Sequence, residues 1–216
     1  MEGDAENILL PAIARLLGRD FHHHGVSIVN VGGVGLGRYA RIFKREDAAD
    51  GVVGIPVACV TDMDVMPDVA LWIVGRLKSG EPLSERPRSK RQWRVKSDFP
   101  GDALERRRME LREKASGQRV ETFVADEWTL EYDLAYFGLA GPVWRAAALA
   151  LADERIAAGR VDRGDVVFAA RKDFKTLTEA APERATLASQ VYARFERDGA
   201  SKAIAAQYLA EMLLEQ

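Results

Sequence analysis

The chain has 216 residues, a formal charge of −2 and a pI near 6.0. It is 47% hydrophobic and 30% charged, which supplies one sizeable core with room for an appended unit and excludes an intrinsically disordered chain. A charge so close to zero excludes a uniformly basic or acidic binding protein, so patches must be read region by region. The single cysteine, Cys59, allows no intramolecular disulfide and suits a reducing compartment. It lies in the apolar run IPVACV and reads as a small core residue. No apolar stretch reads as a membrane span, and MEGDAENILL lacks the basic start of a signal peptide. The expectation is a soluble cytoplasmic protein without a membrane partner.

In chain order, residues 4–17 place Ile8, Leu9, Ala12, Ile13, Leu16 and Leu17 at helical spacing, with Pro11 as an irregularity and Gly18 as the stop. VSIVNV (26–31) has the β-branched character of a buried strand. The loop GGVGLG (32–37), a short helix over 38–46 and a second strand, IPVACVTD (55–62), follow. Strand, helix, strand in this order predicts a parallel sheet flanked by helices. From Pro67 to about Ser116 the character changes: PDVALWIVGRLKSG is helical in pattern, 86–101 is basic and irregular, and 102–115 is a charged helix. VETFVAD (120–126) returns to strand pattern, and helices fill the chain from Thr129 onward. The predicted layout is an α/β domain over 1–140, interrupted by a helical and basic insertion at 67–118, and a helical subdomain over 141–216.

Acidic residues cluster at three points. In VTDMDVMPD, Asp62 and Asp64 close the 55–62 strand two residues apart, so they project to one side if the strand continues. Ligands of open parallel sheets bind beyond the carboxyl ends of strands, and a DxD there suits a hard cation. Asp68, after Pro67, reads as a helix-start residue. Glu2 and Glu6 lie four apart on the first helix, roughly on one face. Asp126, Glu127, Glu131 and Asp133 follow the 120–124 strand. Singly, each cluster fits helix capping or an ordinary loop. Together they repel unless protonated or bound to cations, and two Mg²⁺-type ions could clamp the attacking and leaving oxygens of a phosphodiester displacement.

Other features read more weakly. GGVGLG departs from G-x-G-x-x-G, with Arg38 where the last glycine belongs, and reads as a tight turn near the carboxylates or a purely structural one. His22, His23 and His24 are adjacent, do not converge on one ion, and read as a polar loop. RPRSKRQWRVK (86–96) holds six basic residues, no acid and one aromatic. Arg86, Arg88, Lys90, Arg91, Arg94 and Lys96 could neutralise phosphates while Trp93 stacks on a base. The same run reads equally well as a solvated loop. Arg106, Arg107 and Arg108 read as a charged helix face.

Three segments, EGDAENILLPAIARLL, VSIVNVGGVGLGRYARIFK and IPVACVTDMD, resemble the overcoming-lysogenization-defect (OLD) family of nucleases, whose catalytic half is a Toprim domain. TLEYDLA and SKAIAAQYLAEML resemble segments of that family's C-terminal half. The resemblance implies a Toprim-like parallel sheet flanked by helices, and a metal-dependent DNA endonuclease. It implies two divalent cations, Mg²⁺ with Mn²⁺ or Ca²⁺ as alternatives. Glu2, Asp62 and Asp64 would hold one ion, and Glu6 with Asp126 or Glu131 the other. Glu2 would double as general acid or base, and Lys202 would stabilise charge on the phosphate.

In that family an ABC-type ATPase precedes the Toprim half. This chain has no G-x-x-x-x-G-K-[ST], so no ATP site is expected. Toprim domains place the first glutamate at the end of a strand, whereas only Met1 precedes Glu2 here. Compensation by rearrangement or by pairing with a second copy of the chain is therefore expected. The alternatives are a non-catalytic nucleic-acid-binding Toprim-like module, and a Toprim nuclease or primase acting on RNA.

Overall fold

The computed structural model describes Met1, residues 3–33 and residues 35–215. Glu2, expected as a metal ligand and acid or base, lies outside the described residues. Helix α1 (Asp4–Leu16) carries Asp4 and Glu6 in its first turn and Arg15 in its last, matching the helix dipole at both ends. It runs through Pro11 because Ala5, Leu9, Ala12 and Ala14 are buried, and it lies along the last helix of the chain. Gly18, at φ 68°, ends it as expected.

The expected strand at 26–31 is not a strand. Val26 and Val29 are exposed, and the ladder bonds of the segment are with one residue. Met1 donates from its N-terminal nitrogen to the Val29 carbonyl at 3.1 Å and accepts from the Val31 N–H at 2.9 Å. A β-branched run becomes a strand only when a neighbouring strand satisfies its backbone, and none of the described residues pairs with it as one. Gly32 and Gly33 then turn at φ 65° and 93°, a conformation that favours glycine, and lead to α2 (Leu36–Ala40).

Strand β1 (Val57–Thr61) pairs in parallel with β2 (Val120–Val124), Cys59 opposite Thr122. Between them run α3 (Ala70–Ile73) and α4 (Ala103–Ala115). The helix expected over 67–80 shrinks to four residues because Gly75 adopts φ 78° and the N–H groups of Arg76 and Leu77 turn back to the Leu71 carbonyl. The basic run is made of short 3₁₀ turns. It is tied to the end of β1 by a parallel bridge between Met66 and the fully buried Val95. Asp68 starts no helix; it accepts from the backbone and hydroxyl of Ser97, fastening the insertion to the chain after β1.

Helices α5 (Leu130–Leu134), α6 (Ala140–Ala157), α7 (Arg163–Ala180), α8 (Arg184–Glu196) and α9 (Lys202–Leu214) complete the chain. One helical run, Leu130–Ala157, is long and apolar enough by length and composition to cross a membrane, contrary to the sequence expectation. Here it is a packed element broken by a π-helical turn, with Gly138 at φ 115°. Its α6 part buries Val143, Ala146, Ala147, Leu149 and Ala152. The largest apolar cluster joins α1, the start of the insertion and α5 to α9, with the Trp128 ring in contact with those of Tyr132 and Tyr192. A smaller cluster around buried Cys59 holds α2 and α4 on the sheet.

Because α1 is held by this cluster, its position depends on Leu9, which is 2% exposed. Leu9→Ala is expected to lower unfolding free energy by about 2–4 kcal/mol. Leu17→Ala, at a 72% exposed position, should cost under about 0.5 kcal/mol. Urea titrations of the two variants compare them.

Candidate active site

The site is built from the end of β1, the first turn of α1, the start of α5 and the N-terminus of α9. β1 stops at Thr61, and Asp62 follows with its carboxylate accepting the Leu130 N–H at 3.2 Å. The expected continuation of strand conformation through Asp64 does not occur. Asp64 has φ 55° and is exposed between Met63 and Val65, which are buried. Both aspartates nonetheless line one open cleft of about 450 Å³, reached by a turn and not by strand alternation.

TLEYDLA supplies the opposite wall, each residue with its own task. Thr129 caps α5 by accepting the Tyr132 N–H and donates its hydroxyl to Glu131 at 3.3 Å. Leu130 offers its N–H to Asp62. Glu131 is buried and paired with Lys202 at 2.9 Å. Tyr132 is fully buried. Asp133 accepts the N–H groups of Asp126, Glu127 and Trp128, which fixes the loop between β2 and α5.

Lys202 opens α9 behind its Ser201 cap and also donates to the Tyr192 hydroxyl at 3.3 Å. Burial disfavours the lysine charge, but Glu131 and Tyr192 outweigh it and hold the ammonium above the usual lysine range. Tyr192 is itself pushed up to about 12, chiefly by burial.

Asp62 is pushed up to about 8, first by burial, then by the charges of Glu131 and Glu6. Burial also raises Glu6, its own backbone N–H opposes the rise, and Glu131 adds to it. Three carboxylates from three separate elements thus feel one another, with Lys202 as the cation they share. Gly3 makes room for one of them. A Cβ built at Gly3 would collide with Glu6 Oε2, so the glycine lets the Glu6 carboxylate fold back over the helix start.

Asp126 is not brought to this cleft. Its side chain is exposed, its carbonyl accepts from Arg108 at 2.6 Å, and its N–H is held by Asp133. The loop it occupies is set by backbone bonds that leave the carboxylate outside. Among the described residues, no three His, Cys, Asp or Glu side chains stand close enough together to hold a metal ion. The all-oxygen donors and surplus negative charge of Glu6 and Asp62 still fit a hard divalent cation. Glu131 already has its cation in Lys202.

The basic run divides in the same way. Arg91 is nearly buried, paired with both oxygens of Asp98, bonded to the Trp93 carbonyl at 2.9 Å and stacked on the Trp93 ring. Arg86 is paired with Glu81, Lys96 with Glu127, and Arg88 reaches the Arg91 carbonyl. Those guanidiniums and that ammonium shape the loop. Lys90 is exposed, while Trp93 and Arg94 line the cleft.

Three charged cleft residues were not foreseen as site residues: Arg76, Arg107 and Glu196. Arg76 and Glu196 pair at 2.6 Å across 120 residues, which no local pattern could reveal. Arg107 was legible: Leu104 and Leu111 pack inward, and a residue three beyond Leu104 shares their face. Of its neighbours in the triple, Arg106 pairs with Asp102 and Arg108 bonds Asp126. His22 and His23 sit on an exposed turn whose N–H groups bond Asp20, so the polar-loop reading describes them.

Residues 1–64 match the sequence model of a family described as "Overcoming lysogenization defect protein-like, TOPRIM domain". The segment ends at Asp64, so it contains Glu6 and both aspartates, and excludes Glu131 and Lys202. No curated protein and no solved structure matches the chain.

Two outcomes follow from this geometry. Free aspartate ionises near 3.8, whereas folded Asp62 keeps its proton to about 8. Between these values the folded state binds more protons than the unfolded state, so stability falls as pH rises through the window. Glu6 acts in the same direction, and Lys202 stays charged in both states there. The metal-free Tm should therefore decline from about pH 5 to about pH 8, and Asp62→Asn should flatten that decline. Gly3→Ala should leave far-UV circular dichroism unchanged, because only the mobile end of Glu6 must yield, while weakening divalent-cation binding measured by calorimetry about tenfold.

Proposed function

We propose that this chain, whose first 64 residues are a Toprim region of OLD type, is a divalent-metal-dependent endonuclease acting on DNA. The observation that carries the reading is a cleft lined by Asp62, Asp64 and Lys202 together with Arg76, Arg94 and Arg107, with Glu6 and Glu131 near enough for their charges to act on Asp62. A polyanion reaching surplus carboxylates needs positive charge on both sides of the scissile bond, and the cleft offers that arrangement.

Glu6 and Asp62 are the residues that would hold the cation, and when bound it would supply Lewis acidity toward a phosphoryl oxygen and a more acidic water. Asp62, which burial holds toward its protonated form, would have to be a carboxylate to ligate a cation, so cation binding would be coupled to loss of its proton. Lys202, held charged, orients toward the cleft and offsets charge building on the phosphate. Arg94 and Arg107 contact the backbone on either side, and Trp93 offers a ring face to an unstacked base.

A two-ion mechanism requires Glu131 to leave Lys202, with a described partner other than Asp126. The OLD-type ATPase is the natural partner in the full assembly, pairing of 26–31 with a second copy is a route to a homodimer, and the cytoplasm is the matching compartment.

The second reading is a non-catalytic nucleic-acid-binding module. The Glu131–Lys202 ion pair favours it, because that pair neutralises a ligand the two-ion scheme uses. Nicking of supercoiled plasmid with Mg²⁺ or Mn²⁺ separates the two. The nuclease reading expects cleavage that falls at least about 100-fold in Asp62→Ala and Glu6→Ala, with Tm preserved. Plasmid binding without cleavage selects the module, and cleavage restricted to RNA selects an RNA-directed Toprim enzyme.

A further inference from the structure

A second groove, of about 360 Å³, lies between α6, α7 and the end of α9, on residues that take no part in the carboxylate cleft. Arg145 of α6 and Arg163 and Arg171 of α7 line it, over an apolar floor that includes Leu149 and Val167. Residues 163, 167 and 171 follow at four-residue spacing, so they occupy one stripe of α7.

The arginines differ in what satisfies them. Arg163 is paired with Glu211 at 2.8 Å and stacked over Tyr208. Arg145 and Arg171 have no carboxylate partner among the described residues, and Arg145 Nε is buried without an acceptor. Glu215 also lines the groove and pairs with neither. Burial and the facing charge of Arg171 both make the Arg145 charge harder to hold. Folding thus places two like charges on one groove with no ion-paired carboxylate among the described residues, an arrangement that an external anion would relieve.

We propose that the groove binds a phosphoryl group bridged by Arg145 and Arg171. A carboxylate is satisfied by one guanidinium fork, whereas a phosphate has enough oxygens for two. The phosphoryl group can belong to a nucleic-acid backbone or to a small phosphorylated molecule, and the site stands whether or not the carboxylate cleft cleaves DNA.

Calorimetric titration of the metal-free chain with inorganic phosphate, beside fluorescence anisotropy with duplex DNA over a range of NaCl, tests it. Saturable phosphate binding is expected, weakened at least about tenfold in Arg145→Gln and in Arg171→Gln. Arg171 is exposed, so its variant keeps the fold and removes instability of the Arg145 variant as an explanation. If DNA affinity falls in parallel and the salt slope drops by about 0.9 per lost contact, the backbone is the source. Unchanged DNA binding with lost phosphate binding identifies a small phosphorylated ligand. Variants that bind both phosphate and DNA like the wild type overturn the proposal, as does a wild type that takes neither.

Discussion

The site rests on an imbalance of charge. Glu6, Asp62 and Glu131 approach one another from helix α1, the end of β1 and the start of α5, and one lysine answers them. Lys202 pairs with Glu131, while burial first and the neighbouring carboxylates second raise Glu6 and Asp62 from their ordinary values. Much of the surrounding structure keeps that arrangement in place. The Leu130 N–H holds Asp62, Asp133 fixes the loop before α5, and the packing of α1 and α9 brings Glu6 and Lys202 to the same end of the molecule.

The site stands on an α/β scaffold with little sheet among the described residues. The described residues contain two paired strands, and helices provide most of the burial. The sheet contributes direction: β1 delivers Asp62 at its carboxyl end, and β2 delivers the loop that leads to α5. The insertion acts as a wall. Its basic residues are largely spent on internal pairs, and those that remain toward the cleft, Arg94 and Arg107, come from separate stretches.

Helix placement was readable because it depends on local spacing. Residues 4–17 carry apolar periodicity, 102–115 is a run of charged helix formers, and in the tail Thr129, Asp162 and Ser201 cap their helices; all three stretches are helical. The 26–31 run shows the limit of such reasoning. VSIVNV has strand composition, but a strand requires a neighbour, and composition is silent about whether one is there. Asp64 shows another limit: period-two alternation holds only while the backbone stays extended, and a left-handed residue ends it.

By itself the sequence determined the residue types of the chemistry. It held the clustered carboxylates, the lysine at the start of a helix and the segment of OLD-like Toprim character, because motif spacing is a property of the chain. Tertiary structure decided which of them meet. It joined Glu131 to Lys202, left Asp126 outside, turned Arg91 inward and Arg107 toward the cleft, and brought Arg145 and Arg171 to one groove. The reason is physical: ion pairing and burial depend on separation in space, and Glu131 and Lys202 are 71 residues apart in the chain.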